Sequence, residues 1–522
     1  MSIEALPNKL LLQIFNHLSW KELRSNLSLV NKRWYRVIGM HCMADKATLH
    51  LSKPDSKRSK NWDDICIPLE VLCGSSREYS KFSCSMRSLK NELLIDGRFA
   101  TVLQYCHQRW KMHTLRIMAH YAQFIAFLQH HRNLLNDVIK INILVIDISP
   151  PDGLRHDDEA LHHTFFMLPM NNIQKMDFEH RQISNNYQSP TYVLALITPN
   201  LETLNIQRCV IRNNVRIELH ECPKLRSIYM FSRKPLRGAF VPDPVELENI
   251  SSHQTPLFSK IKLIGVSVAT TFAAIFSNLR NIFLAYVRVD PTDHALTCEN
   301  LTELTVHSLI LQKPLKLIAP QLRSLNCDMD MLKLLHLQDA IHADQLVIDM
   351  RYPSLGRSME MANPAGLSHF RKLLLKPTQC YCYDAIWFAF LWSHLEGIRE
   401  LQVRNIFPQD HLSRLRDVLM HFPQLSSLRL QGMVIPSDMQ YLPTNIKIVS
   451  IEDCSVDGNS VHFSPNVECV WVHKLWNNNE DSGNSDIDSM HLLPQDKFTP
   501  LESKIGRINH GRRLTYSTRN TS

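Results

Sequence analysis

A short phrase, Leu-x-x-Leu-x-Leu with conservative replacements, returns along most of this chain and limits what it can fold into. Clear copies begin at Leu201, Leu225, Leu279, Leu301, Leu322, Phe370, Ile398, Leu425, Ile446 and Val467, and weaker ones at Met112, Ile173 and Phe258. Their starts lie mostly about 21 to 33 residues apart, the spacing of small units that stack on one another. Proline precedes five copies at one offset: Pro199, Pro223, Pro320, Pro423 and Pro465 each stand two residues before the first apolar position. Proline cannot continue a preceding helix and holds the chain extended ahead of the phrase. Cys209 and Cys454 follow two of the copies at a matching distance. Each phrase predicts a short strand. The intervening stretches Tyr121 to His130, Thr191 to Ile197, Thr271 to Phe276, Ala385 to Leu395 and Leu412 to Phe422 predict returning helices. The expected class is therefore α/β, with one strand and one helix per repeat. A unit this small buries its apolar side only against its neighbours, so the stack forms one continuous curved core.

The first forty residues follow a different rule. Leu6-Pro7 is followed by Leu10, Leu11, Ile14, Phe15 and Leu18, apolar residues at helical spacing, and Pro7 fits the first turn, where a missing N–H costs nothing. Ser19 and Glu22 have the spacing of a reciprocal capping pair that would start a second helix. Leu23, Leu27 and Val30 continue the apolar face, and Trp34, Val37 and Ile38 close a three-helix unit. A unit of about forty residues is marginal alone and must share its apolar surface with the next domain, with a partner, or with both.

These residues resemble the F-box family. The match runs through Leu6-Pro7, Leu10-Leu11, Ile14-Phe15, Leu18 and Val30-Asn31-Lys32-Arg33-Trp34, with Lys9 where an acidic residue is common and Asn31 where cysteine is usual. With the repeats, the chain resembles the leucine-rich-repeat class of F-box proteins. The organisation so implied is an F-box at 1–41 and a leucine-rich-repeat solenoid at 42–476, clearest over 199–475. A polar tail at 477–522 follows, expected to be disordered because its start is nearly free of large apolar residues. The resemblance also implies a function: substrate recognition in an SCF-type ubiquitin ligase. The F-box would dock on a Skp-type adaptor and through it join a cullin-RING ligase, while the repeats capture a protein substrate. The adaptor-binding residues would be Leu6, Pro7, Leu10, Leu11, Ile14, Phe15, Leu18, Leu23, Val30 and Trp34. An F-box scaffold that delivers nothing for degradation is the alternative.

Composition narrows the field further. At 522 residues the chain suits several domains or a repeat array, and 44% hydrophobic residues can fill a core. No run of eighteen apolar residues and no signal-like start occurs, so a soluble intracellular chain, cytoplasmic or nuclear, is expected. Thirteen cysteines without a Cys-x-x-Cys framework point to reduced, mostly buried thiols. The net charge of +8 is spread thinly, with no arginine-rich helix, which argues against nucleic acid.

With 14 glycines in all, no phosphate-binding Gly-rich loop is present, nor is a His-Glu-x-x-His or Gly-x-Ser-x-Gly motif. Cys380-Tyr381-Cys382 lacks the second ligand pair that zinc would need, and His130-His131 and His162-His163 read as solvated helix faces or ends. No catalytic residue, cofactor or metal is expected.

Substrate contact is expected on the strand face, because residues that alternate with the buried leucines point the other way. That face includes Lys372, Glu400, Gln402, Gln431 and His473. Lys376, Arg404 and Arg429 fall in adjacent repeats and could form a basic strip for an acidic or phosphorylated segment, with Trp471 as an aromatic anchor.

Overall fold

The computed structural model describes residues 3–19, 22–23, 26–39, 48–51, 64–66, 79–85, 104–110, 112–119, 127, 132–147, 163–166, 170–182, 192–207, 215–231, 243–248, 255–268, 278–289, 295–308, 315–349, 367–376, 394–404, 419–439 and 442–477. The chain divides into two compact units, Met1–Thr270 and Thr271–Ser522.

The first unit opens with the helical segment. An α-helix at Asn8–Asn16 is followed by a 3-10 turn at Leu27–Leu29 and a second α-helix at Lys32–Val37. Thereafter strands dominate. Thr48–Leu51 pairs in parallel with Asp64–Cys66 on one side and Lys81–Ser85 on the other. The ladder continues through Thr114–Ala119, Lys140–Asp147, Lys175–Gln182, Thr203–Gln207, Ser227–Phe231 and Lys260–Ile264, each strand parallel to the last.

The second unit builds its own ladder. It runs through Asn281–Ala285, Glu303–His307, Ser324–Cys327, Gln345–Asp349, Lys372–Lys376, Glu400–Arg404, Ser427–Gln431, Ile448–Phe463 and Cys469–Asn477. All ten clear copies of the phrase and all three weaker ones coincide with strands of these ladders. The chain is thus a solenoid of stacked parallel strands.

Register explains why the phrase repeats. Ile282, Leu304, Leu325, Leu346, Leu373, Leu401, Leu428 and Val449 are aligned rung by rung, as are Leu284, Val306, Cys327, Ile348, Leu375, Val403, Leu430 and Ile451. Every one of them is buried. Two apolar columns run through the core of the unit, and each coil contributes one residue to each. Stacked side chains of this kind supply the burial that no single coil could achieve.

A turn sets each strand's entry. The first apolar residue of the phrase donates its N–H to the carbonyl three residues earlier: Leu201 to Thr198 (3.0 Å), Leu225 to Cys222 (3.1 Å), Leu322 to Ala319 (3.1 Å), Leu425 to Phe422 (3.1 Å) and Val467 to Ser464 (3.0 Å). The prolines occupy the second position of these turns, for which their fixed φ is suited. Strand exits are equally regular. Gly265, Tyr286, Ser308, Gly432 and Asp453 all adopt positive φ two residues after the last apolar position of the phrase, where the chain turns the corner. One residue later, the buried Cys454 donates its thiol to the carbonyls of Leu430 and Glu452, at 3.5 and 3.2 Å.

One sequence expectation is overturned, the returning helix at Thr191 to Ile197: Tyr192–Ile197 is a strand in a second parallel sheet with His163–Phe166 and Val215–Glu221, and the latter pairs onward with Asp243–Glu248. Val215-x-Ile217-x-Leu219 and Val245-x-Leu247 alternate apolar with other residues, the period of a strand rather than of a helix. In the second unit Ala295–Thr297, Leu315–Ile318 and Leu335–Gln338 form a comparable small sheet.

Helices among the described coils are few; Met329–Leu334, capped by Asp328 Oδ1 on the Met331 N–H at 2.9 Å, is one. Of the other helical expectations, 419–420 is helical and 394–395 and 421–422 are not, whereas most of 121–130, all of 271–276, 385–393 and 412–418 lie outside the described residues.

The ladders also hold coils beyond those copies, at Tyr79-x-x-Phe82-x-Cys84, Val138-x-x-Ile141-x-Ile143 and Ala343-x-x-Leu346-x-Ile348. Tyr, Val or Ala replaces leucine at their first position. His163 likewise belongs to a strand rather than a helix end. The segments 478–522, Cys209 and Cys380 to Cys382 lie outside the described residues.

Candidate functional site

The N-terminal helical segment sorts its apolar residues into two sets. Leu11, Phe15, Leu23 and Trp34 are buried, and the Phe15 and Trp34 rings meet edge to face with centroids 5.2 Å apart. These four residues form the unit's own core. Pro7, Leu10, Ile14 and Val30 are exposed, and Leu6 and Leu18 half-buried. Leu10 and Ile14 are four residues apart on one helix and so share a face, one step around from Leu11 and Phe15. Leu29, 78% exposed, adds to the uncovered apolar surface. These side chains leave apolar surface uncovered on the helical unit.

Local chemistry holds that surface in shape. Glu22 Oε2 accepts from both the backbone N–H and the hydroxyl of Ser19 at 2.7 Å, the reciprocal cap expected from their spacing. Asn31 has a role the sequence reading missed: it caps the Lys32–Val37 helix, its Oδ1 accepting the Trp34 N–H at 2.8 Å. Arg33 reaches back to Asn8 Oδ1 (2.9 Å) and to the Leu6 carbonyl (2.5 Å), tying the last helix to the start of the first. The signal for Asn31 was available, since asparagine favours the N-cap and an apolar turn follows it.

The expected substrate residues are brought to one strand face, but not as a single strip. Lys372–Lys376, Glu400–Arg404 and Ser427–Gln431 are neighbours in the ladder, as adjacency in sequence implied. Arg404 aligns with Gln431 and then Glu452, whereas Arg429 aligns with Gln402, Ser450 and Trp471, one row away. Arg429 is bonded to Glu452, and Arg404 donates from Nη2 and Nε to the Gln402 amide oxygen at 3.2 and 3.1 Å once that amide is oriented to match its neighbours. Lys376 is half-buried. Lys372, on the outer row, lies 3.7 Å from both Asp344 and Glu400. Trp471 is 54% exposed beside His473 on the Cys469–Asn477 strand, an uncovered aromatic surface.

The described cysteines are largely withdrawn from solvent. Cys84, Cys106, Cys222, Cys298, Cys327 and Cys454 are buried free thiols and Cys469 is half-buried. Burial pushes the Cys222 thiol up to about 11 and that of Cys298 up to about 12. A thiol so raised stays protonated and inert near neutrality. Among the described residues no three His, Cys, Asp or Glu side chains converge as metal ligands, and no helix is long and apolar enough to cross a membrane.

Comparison with known proteins bears on the same N-terminal segment. An F-box-like family model matches residues 3–41. The chain therefore carries an F-box-like domain ahead of a parallel-strand solenoid. A search of curated proteins finds no match to it.

Proposed function

We propose that this protein is a substrate-recognition subunit of an SCF-type ubiquitin ligase. Its F-box-like unit docks on a Skp-type adaptor, which links it to a cullin and a RING ligase. The observation that carries this reading is the division of the helical unit: Pro7, Leu10, Ile14 and Val30 stay outside a core made by Leu11, Phe15, Leu23 and Trp34. The core residues act by positioning the exposed ones. The solenoid, read as a divergent leucine-rich repeat, captures the substrate, with Arg404, Arg429, Lys376 and Trp471 as contacts on its strand face.

In this role the chain breaks and forms no bonds. It raises the local concentration of a substrate beside a charged conjugating enzyme, an effect that reaches the millimolar range for short linkages. It works in the reducing interior of the cell, in cytoplasm, nucleus or both.

The test is reconstitution of the full chain with a Skp-type adaptor, a cullin, a RING subunit and a conjugating enzyme, after capture of solenoid-bound protein from an extract. Ubiquitin transfer to a captured protein, lost with an Arg429→Glu/Trp471→Ala variant, supports substrate delivery. Stable assembly without transfer would instead favour the scaffold.

A further inference from the structure

Away from the strand face, residues from four successive turns of the second unit line a cleft of about 430 Å3 at the edge where the strands begin. Its walls carry Arg371, Arg399, His342 and His369, with Asp344 as the acidic member of the lining. Arg371 and Arg399 each follow the first apolar residue of a phrase. The Arg399 N–H donates to the Arg371 carbonyl at 2.7 Å, and the Arg371 N–H to the Asp344 carbonyl at 2.9 Å. The two arginines are therefore stacked one strand spacing apart, about 4.8 Å along the ladder.

Like charges at neighbouring ladder positions are destabilising, and here neither guanidinium has an ion-pair partner among the described residues. Asp344 is drawn instead toward Lys372, 3.7 Å away. Gly397 also lines the cleft, and its missing side chain lets two turns touch: a Cβ there would lie 2.3 Å from the Ser368 carbonyl oxygen. At the rim, Ile341 is 64% exposed.

We propose that this cleft receives a phosphorylated side chain of a bound protein segment. This rests on the reading of the solenoid as the substrate-capturing part of the molecule. Paired guanidinium groups offer forked donors that match phosphate oxygens, and a doubly negative group relieves the repulsion between them. His342 and His369 flank the phosphate, and Ile341 packs on an apolar neighbour of the phosphorylated residue. A nucleic acid fits less well: Asp344 and Glu400 beside the arginines would repel a continuous run of phosphates, whereas a single phosphate can sit between them.

The experiment measures binding of O-phosphoserine, serine, inorganic phosphate and a twelve-nucleotide single strand to the full-length chain by calorimetry at two salt concentrations. Wild-type protein should bind O-phosphoserine more tightly than inorganic phosphate, ignore serine, and weaken as salt rises. An Arg371→Gln/Arg399→Gln variant should lose about tenfold or more, the equivalent of one charge-assisted contact or above. Lys447→Gln, whose lysine is already 2.9 Å from Glu468 on the same edge, should not.

Both arginines are exposed, so an unchanged melting temperature will show that the variant is folded. Equal binding by the double variant, no binding of O-phosphoserine, phosphate bound as tightly as O-phosphoserine, or binding of the oligonucleotide in its place would each overturn the proposal. No adaptor is present, so a failure here leaves the docking reading standing, and a failure of docking leaves this result standing.

Discussion

At the scale of single residues, the helical unit separates stability from binding. Phe15 and Trp34 are in contact and buried, so Phe15→Ala should cost about 3–5 kcal/mol. Leu10→Ala, at a site 43% exposed, should stay within about 0.5 kcal/mol. Chemical denaturation of the two variants checks the contrast. Asn31→Ala removes the cap on the Trp34 N–H and should cost about 1 kcal/mol, whereas Asn31→Asp should be nearly neutral. Hydrogen exchange of amides 32–37 would report it.

The apolar period placed Leu10, Leu11, Ile14 and Phe15 on one helix but could not say which pair faces inward, because the stripe is wide enough for either. The Ser19 and Glu22 cap was legible because it is made within four residues. The cysteines add a pH dependence. Burial raises the folded thiols of Cys222 and Cys298 above their unfolded value of 9.0, so the unfolded chain ionises first as pH rises. Their contribution to stability is complete below about pH 9 and is lost toward pH 11 to 12, which a series of alkaline melts would measure.

At the scale of elements, the strands that begin at each turn were legible and the segments that return were not. The phrase gives a strand with a fixed entry turn, and both depend on residues within a few positions of one another. The return segments depend on what the next coil offers. Tyr192–Ile197 is short and apolar enough for either helix or strand, and pairing on both sides decides it. The coil at Gln345–Asp349 was passed over because Ala343 opens it, yet Leu346 occupies the same column as Leu373 and is equally buried. Leu346→Ala should therefore destabilise the second unit by about 2–5 kcal/mol, as much as Leu428→Ala. A much smaller cost at Leu346, in urea unfolding followed by fluorescence, would mean that this coil is not part of the common core.

Across the whole molecule, two kinds of surface have been set apart along the chain. Apolar side chains such as Leu10, Ile14 and Leu29 lie uncovered in the first forty residues, while the coils of the second unit display charged and aromatic side chains, with single apolar ones such as Ile341 among them. The first kind was visible in the sequence as a family pattern. The second was visible only in outline, because register moved Arg404 and Arg429 into different rows and Glu452 supplies Arg429 with a counter-charge. Sequence spacing could not show the cleft at Arg371 and Arg399 either, since it exists only where successive turns stack.

If the proposed function holds, the exposed face of the F-box-like unit, and not its core, meets a Skp-type adaptor. Purified adaptor is titrated against the full chain and a Leu10→Asp/Ile14→Asp variant, with circular dichroism and melting temperature recorded for both. Tight binding by the wild type is expected, with a loss of about a hundredfold or more in a variant that stays folded, since two apolar contacts are replaced by buried unpaired charges. Undiminished binding by the folded variant, or no binding by the wild type, would rule this docking out.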